Sequence, residues 1–156
     1  MNYFDEYYLG AFRKFATFSG RARRKEYSWF LVFNFIVGII ISVIDFLAFG
    51  DSDEIFSLIY VLIAFIPGLA VFVRRLHDFG KSGWFVLVMV FVPLTTLIIA
   101  IFLAQIDENS ITQSATILFF VISVLLFIYY FYYLPIFEKG NIGENAYGSD
   151  PKALNL

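Results

Sequence analysis

The residues best equipped for chemistry fall in three charged strings, FSGRARRKEYSWF (18–30), VRRLHDFGKSGW (73–84) and EKGNIGENAYGSDPK (138–152). The second string holds His77 beside Asp78, a pair that invites general acid–base chemistry. Adjacent helical residues do not face each other, and a base needs a placed partner as well as a suitable pKa. A structural histidine, paired with an Asp or Glu from another segment, is therefore the better reading of His77, and no residue is assigned as catalytic. The chain has no cysteine and one histidine, which excludes thiolate metal sites, cysteine nucleophiles and a multi-histidine zinc or haem site within one chain. No metal or cofactor is expected.

The cations offer a different chemistry. Arg21, Arg24 and Lys25 in the first string and Arg74, Arg75 and Lys81 in the second could converge on an anion, since arginine forms bidentate contacts with phosphate. Spacing would set Arg21, Arg24, Lys25 and Ser28 roughly along one helical face. The simpler reading is a basic collar holding a helix end at anionic lipid head groups, at about 1 kcal/mol per base. A third outcome is closure of these cations on Glu26, Asp78, Glu144 or Asp150. Gly80 suits a left-handed helix stop, Ser19 and Ser82 suit helix caps, and Trp84 suits an interfacial anchor. Asn145 and its neighbouring glycines suit turns; Tyr147 and Asp150 could fold the tail back onto the collar.

These strings punctuate a chain of 156 residues that is 60% hydrophobic and only 15% charged, against about a quarter charged in soluble domains. That balance excludes an ordinary water-soluble enzyme, a disordered chain and a nucleic-acid-binding module. Four stretches lack Asp, Glu, Lys and Arg altogether: 27–44, 55–73, 82–106 and 109–137. A bilayer core needs about 20 apolar residues of helix. Lipid offers no partners to backbone polar groups, so the spans are helices or a closed barrel. The runs are apolar on every face, as in FLVFNFIVGIIISVI, without the alternation of barrel strands. Transmembrane helices are predicted at 27–47, 55–73, 83–103 and 115–136. No cleavable leader is visible, and the first span is expected to be an uncleaved anchor.

All eleven basic residues lie before the first predicted span, between the second and third, or after the fourth. The other two loops hold only acids, Asp51, Asp53, Glu54, Asp107 and Glu108, with Asp45 at the end of the first span. By the positive-inside tendency both termini and the central loop are cytoplasmic. Residues 1–20 are expected to form an amphipathic interfacial helix, with Phe4, Tyr8, Ala11, Phe15 and Phe18 on its apolar side. Residues 137–156 form a cytoplasmic tail. The prediction is an all-α integral membrane protein, one membrane domain with four transmembrane helices in two hairpins plus the N-terminal amphipathic helix.

Within the spans the polar groups are mild: Asn34, Ser42, Ser57, Thr95, Thr96 and Ser123. Transporters and pumps usually bury ionisable groups along their path, so this argues against transport, although Pro67 and Pro93 could kink two spans. The cluster Tyr129, Tyr130, Tyr132 and Tyr133 suits an aromatic belt.

Taken together and in order, FSGRARRKEYSWF, VRRLHDFGKSGW and GENAYGSDP resemble the bacterial membrane-protein family called domain of unknown function 805. The resemblance covers nearly the whole chain; RRLHD-x-GKSGW is its most specific part, and Ser28 departs from it where relatives often carry an aromatic residue. By that resemblance Arg21, Arg24, Glu26, Arg74, Arg75, His77, Asp78, Gly80, Ser82, Gly83, Trp84, Asn145, Tyr147, Gly148 and Pro151 match motif positions. It implies a small multi-span protein of the bacterial cytoplasmic membrane and no established reaction. The function expected is structural or accessory, with cytoplasmic motifs that interlock or bind a membrane-protein partner or a second copy. The alternative is binding of anionic lipid head groups or another anionic ligand.

Overall fold

A computed structural model describes residues 2–50, 54–105 and 110–153. Asp51, Asp53, Asp107 and Glu108, the acids expected in the two outer loops, lie outside the described residues. The described chain is helical. A π-helical stretch, Phe4–Leu9, runs into the short helix α1 (Gly10–Arg13). The long helices follow: α2 (Arg24–Phe49), α3 (Ile55–Asp78), α4 (Phe85–Leu103) and α5 (Ser110–Ile128). A second π-helical stretch, Tyr129–Tyr133, leads into α6 (Leu134–Phe137).

Four helical stretches are long and apolar enough to cross a membrane: Arg24–Phe49, Ile55–Asp78, Phe85–Leu103 and Ile111–Phe137. At about 1.5 Å per residue, the 26 residues of α2 extend roughly 39 Å, beyond the ~30 Å apolar slab. The excess falls at the charged end, where α2 starts three residues before the predicted Tyr27 and α3 continues five past the predicted Val73. Backbone hydrogen bonding does not stop where apolar character stops, so Arg24, Arg74, Arg75, His77 and Asp78 are helical.

The chain divides into two compact units, Met1–Gly83 with Lys139–Leu156, and Trp84–Glu138. In the first, α2 and α3 pack as a hairpin. Tyr27 sits against Phe72 with ring centroids 5.8 Å apart, and the Phe30 ring lies over Gly68, 3.4 Å from where a Cβ would stand. Tyr60 of α3 donates from its hydroxyl to Asn34 Oδ1 of α2 at 2.7 Å. At the far end, Asp45 of α2 accepts the Phe56 and Ser57 N–H groups at 2.9 and 2.7 Å. The first turn of α3 is thus capped from the neighbouring helix, and Glu54, which precedes α3, makes no side-chain cap.

The N-terminal segment is shorter than expected. Helix ends at Arg13, and Tyr7, Tyr8 and Ala11 are buried. Tyr3 stacks on Trp29, and Phe4 and Tyr8 pack against Phe33 and Phe30 of α2. Phe15 and Phe18, expected on the same helical face, lie beyond the helix and are exposed. Extension of α1 would remove the Thr17 and Gly20 carbonyls from the partners they meet in the site below, and those long-range bonds outweigh the local periodicity.

In the second unit α4 pairs with α5. Ser123 of α5 donates its hydroxyl hydrogen bond to the Pro93 carbonyl of α4 at 2.9 Å. Met89 and Ala100 of α4 are buried.

Candidate functional site

The C-terminus of α3 collects all three charged strings of the sequence. A helix ends with carbonyls that lack intrahelical partners and with the negative pole of its dipole. The Arg74 carbonyl accepts from Ala22 N–H at 2.9 Å, and the Leu76 carbonyl from Lys81 N–H at 3.0 Å. The His77 carbonyl accepts from Asn145 Nδ2 at 2.9 Å and from Gly80 N–H at 3.1 Å. The Asp78 carbonyl accepts from Asn141 N–H at 2.7 Å. Gly80 takes the left-handed conformation expected of it, φ +77°. The local stop at Gly80 and Lys81 and the distant donors Ala22, Asn141 and Asn145 therefore share the capping.

Asp78 is the centre of the charge arrangement. Arg21 Nε donates to its Oδ1 at 3.1 Å, and Arg75 Nη1 donates to its Oδ2. The side chains of Arg21, Arg75 and Asp78 are 1%, 0% and 4% exposed, so this triad is removed from water. Arg75 also lies over the Phe79 ring, 5.2 Å from its centroid. The rest of the Arg21 fork is taken by the tail: Nη1 donates to the carbonyls of Gly143 and Gly148, and Nη2 to that of Asn141 at 2.5 Å. Such a buried cluster holds only because the remaining donors find oxygens.

Arg74 faces the opposite way. Its Nη2 pairs with Glu26 at 3.0 Å and its Nη1 donates to the Thr17 carbonyl at 2.6 Å. His77 Nδ1 lies 3.1 Å from the Gly20 carbonyl, and its ring stacks on Tyr147 with centroids 3.9 Å apart and planes 4° from parallel. The partner expected for His77 was a carboxylate; the partners found are a carbonyl and a ring face. Asp78, its neighbour, is committed to two arginines, so the two side chains are engaged separately.

The tail is folded on itself before it docks. Asp150 accepts the Gly143 N–H at 3.1 Å and the Lys152 N–H at 2.9 Å. These hydrogen bonds, the Lys152 one foremost, hold the Asp150 carboxyl below its ordinary pKa. Asn145 accepts the Tyr147 N–H through its side chain and pairs with Gly148 through the backbone. Arg23 donates to the Pro151 carbonyl. Gly140 passes so close to Asp78 that a Cβ there would collide with the carboxylate.

Of the six cations considered for an anionic ligand, Arg21, Arg74 and Arg75 thus pair within the protein. Arg24 is half-buried, and Lys25 and Lys81 are exposed. Arg21 is not on a helical face with Arg24 and Lys25, because it precedes α2 and Arg23 is extended. Neither expected serine cap forms: α2 is preceded by Arg23 and α4 by Trp84, each without a side-chain cap, and Ser82 is exposed. Trp84 is 79% exposed. Among the described residues no three His, Asp or Glu side chains gather so as to hold a metal ion.

A family model described as "Protein of unknown function (DUF805)" matches residues 15–149, a range that takes in every residue of this arrangement up to the Tyr147 stack. The chain belongs to the DUF805 family. Among its relatives, "Inner membrane protein YhaI" of Escherichia coli (strain K12) is 35% identical over 148 residues, covering 94% of this chain and 96% of that protein. "Inner membrane protein YhaH" of the same strain is 35% identical over 151 residues, covering 94% and 97%. No solved structure shows significant similarity to the chain. For this DUF805 protein the geometry gives the family match a physical content: the three charged strings meet at the C-terminus of α3.

Proposed function

We propose that this protein is a multi-pass protein of the bacterial cytoplasmic membrane with an accessory, scaffolding role, and that its three charged strings form a cytoplasmic clasp. The observation that carries this reading is Arg21, whose buried guanidinium joins α3 through Asp78 and the tail through three carbonyls. The clasp fixes the ends of the spans and displays a shaped polar surface to a partner or a second copy. The positive-inside tendency sets this end, with both termini, in the cytoplasm. The names of the E. coli relatives support the inner membrane. Phe15 and Phe18, exposed beside Arg13 and Lys14, would rest at the membrane surface with the N-terminal segment.

Photo-crosslinking from Ile142, which is 96% exposed, in intact membranes tests the role. The expected result is one recurrent product, a partner or a dimer; repeated recovery of the uncrosslinked chain alone would contradict it.

A second reading has its own observation. Lys25, in the first turn of α2, and Lys81, after Gly80, are exposed. They suit anionic head groups at about 1 kcal/mol per base. Substitution of both by Gln should then reduce co-purifying anionic lipid, and an unchanged lipid content would remove this reading.

A further inference from the structure

Along α2 and α3 the first unit carries an open groove of about 570 Å³. Its walls are mostly apolar, but Asn34, Gly38 and Ser42 of α2 and Ser57 and Tyr60 of α3 line it as well. The three α2 residues recur at every fourth position and so share one helical face. No charged side chain lines the groove, so nothing in it repels a second copy of itself.

Asn34 sets the demand on this groove. Tyr60 has one hydroxyl hydrogen, which it donates to Asn34 Oδ1 at 2.7 Å, so it accepts from Tyr8, whose hydroxyl oxygen is 2.9 Å away. The amide is thus held by its oxygen, and among the described residues its Nδ2 meets no acceptor. At about 1.5 Å per residue, Asn34 lies roughly 10 Å along the span from Tyr27. That is well inside an apolar slab of about 30 Å. Hydrocarbon offers nothing to an N–H donor, which is costly there until an acceptor arrives.

Depth selects that acceptor. Phospholipid oxygens sit in the head-group layers that flank the slab, and the acyl chains that reach Asn34 carry none. Copies inserted with one orientation pair about a two-fold axis along the membrane normal, so each residue meets its counterpart at its own depth. A carboxamide both donates and accepts, and its oxygen has two lone pairs, of which Tyr60 takes one. Two Asn34 side chains can therefore bond reciprocally, Nδ2 of each to Oδ1 of the other. Gly38 and Ser42, about one and two turns further along, present little bulk and let two helices approach closely.

We infer that this groove is a dimer interface within the membrane, in which α2 of a second copy lies along α2 and α3 and the two Asn34 amides bond to each other. The interface belongs to the spans, apart from the charged strings, and does not require the clasp. The chain has no native cysteine, so single cysteines report the contact in otherwise wild-type protein. Ser42 lines the groove, whereas Ile40, 53% exposed, does not. Oxidation in native membranes should link two chains through Ser42→Cys and not through Ile40→Cys. Equal linkage at both positions, the mark of random collision, overturns the inference, as does none at Ser42→Cys. In the latter case lipids with photoreactive acyl chains name the occupant: labelled groove residues assign the groove to lipid, and unlabelled ones to another part of the chain or a different protein.

Energy transfer between labelled full-length chains in liposomes, followed as lipid is added, reads the affinity. Asn34→Val should weaken pairing about tenfold, which is about 1.4 kcal/mol and in the range of two interhelical hydrogen bonds. Tyr60→Phe removes the bond within the chain but keeps the Asn34 amide, and should leave the affinity within about twofold. A loss in Tyr60→Phe as large as that in Asn34→Val, or no loss in Asn34→Val, overturns the inference. The cysteine linkage decides on its own if Asn34→Val does not fold, since it leaves Asn34 in place. Linkage at Ser42→Cys that persists in the Asp78→Asn background shows that the interface stands apart from the clasp, and linkage lost with the clasp overturns it.

Discussion

Replacing Asp78 with Asn removes the one carboxylate shared by two buried guanidiniums and changes almost nothing in shape. Arg21 and Arg75 are 1% and 0% exposed, so water cannot take over from the lost charge. The amide carries a single acceptor oxygen, and its NH₂ group would point donors at a donor. Removal of one partner from a buried ion pair costs about 3–5 kcal/mol, and here one substitution breaks two pairs. At about 2–4 °C per kcal/mol for a chain of this size, the melting temperature should fall by about 6–20 °C. Thermal unfolding in detergent micelles reads the total. Hydrogen exchange reads the location, with the Asn141 amide, bonded to the Asp78 carbonyl, losing protection first. The double variant Asp78→Asn/Arg21→Gln should recover part of the loss, since it removes one of the two guanidiniums that lose the Asp78 carboxylate. If Asp78→Asn melts within 0.5 kcal/mol of the parent, taken as roughly the scatter of an inert surface change, the triad does not hold the clasp.

Three further outcomes follow from the same geometry. Gly140→Ala drives a Cβ into the Asp78 carboxylate and should cost about 1–3 kcal/mol, the range for overpacking, in the same melt. Acid should loosen the tail through Asp150. Its folded pKa lies below the unfolded value, so its contribution is complete above about pH 5 and fades as the pH falls below about 3.9; exchange at the Gly143 amide against pH checks it, and Asp150→Asn should flatten that profile. At the opposite end, Asp45→Ala deprives the Phe56 and Ser57 amides of their acceptors and should raise their exchange rates while leaving Asn141 unchanged.

The spans were legible because lipid imposes one simple rule, absence of charge over a helix long enough to cross, and 27–44 and 55–73 obey it without exception. Their charged ends were less legible. Helicity continues through Arg74–Asp78 because backbone bonds, not side-chain hydropathy, decide where a helix stops. The pairing of Arg21 and Arg75 with Asp78, and of Arg74 with Glu26, was within reach because opposite charges in a poor-charge chain have few alternatives. Fold-back of the tail was within reach through Tyr147 and Asp150. What had no signature was the set of main-chain carbonyls around Arg21 and beside His77, since every residue carries one. The serine caps expected at Ser19 and Ser82 do not form, since α2 follows Arg23 and α4 follows Trp84, each without a side-chain cap.

Spin-label distance measurement between Lys25→Cys and Ile142→Cys tests the central claim most directly, because both positions are exposed and the chain has no native cysteine. A tail clasped to the start of α2 gives one narrow distance distribution in membranes that broadens in the Asp78→Asn background. A broad distribution in the parent chain, indifferent to Asp78, would contradict the clasp.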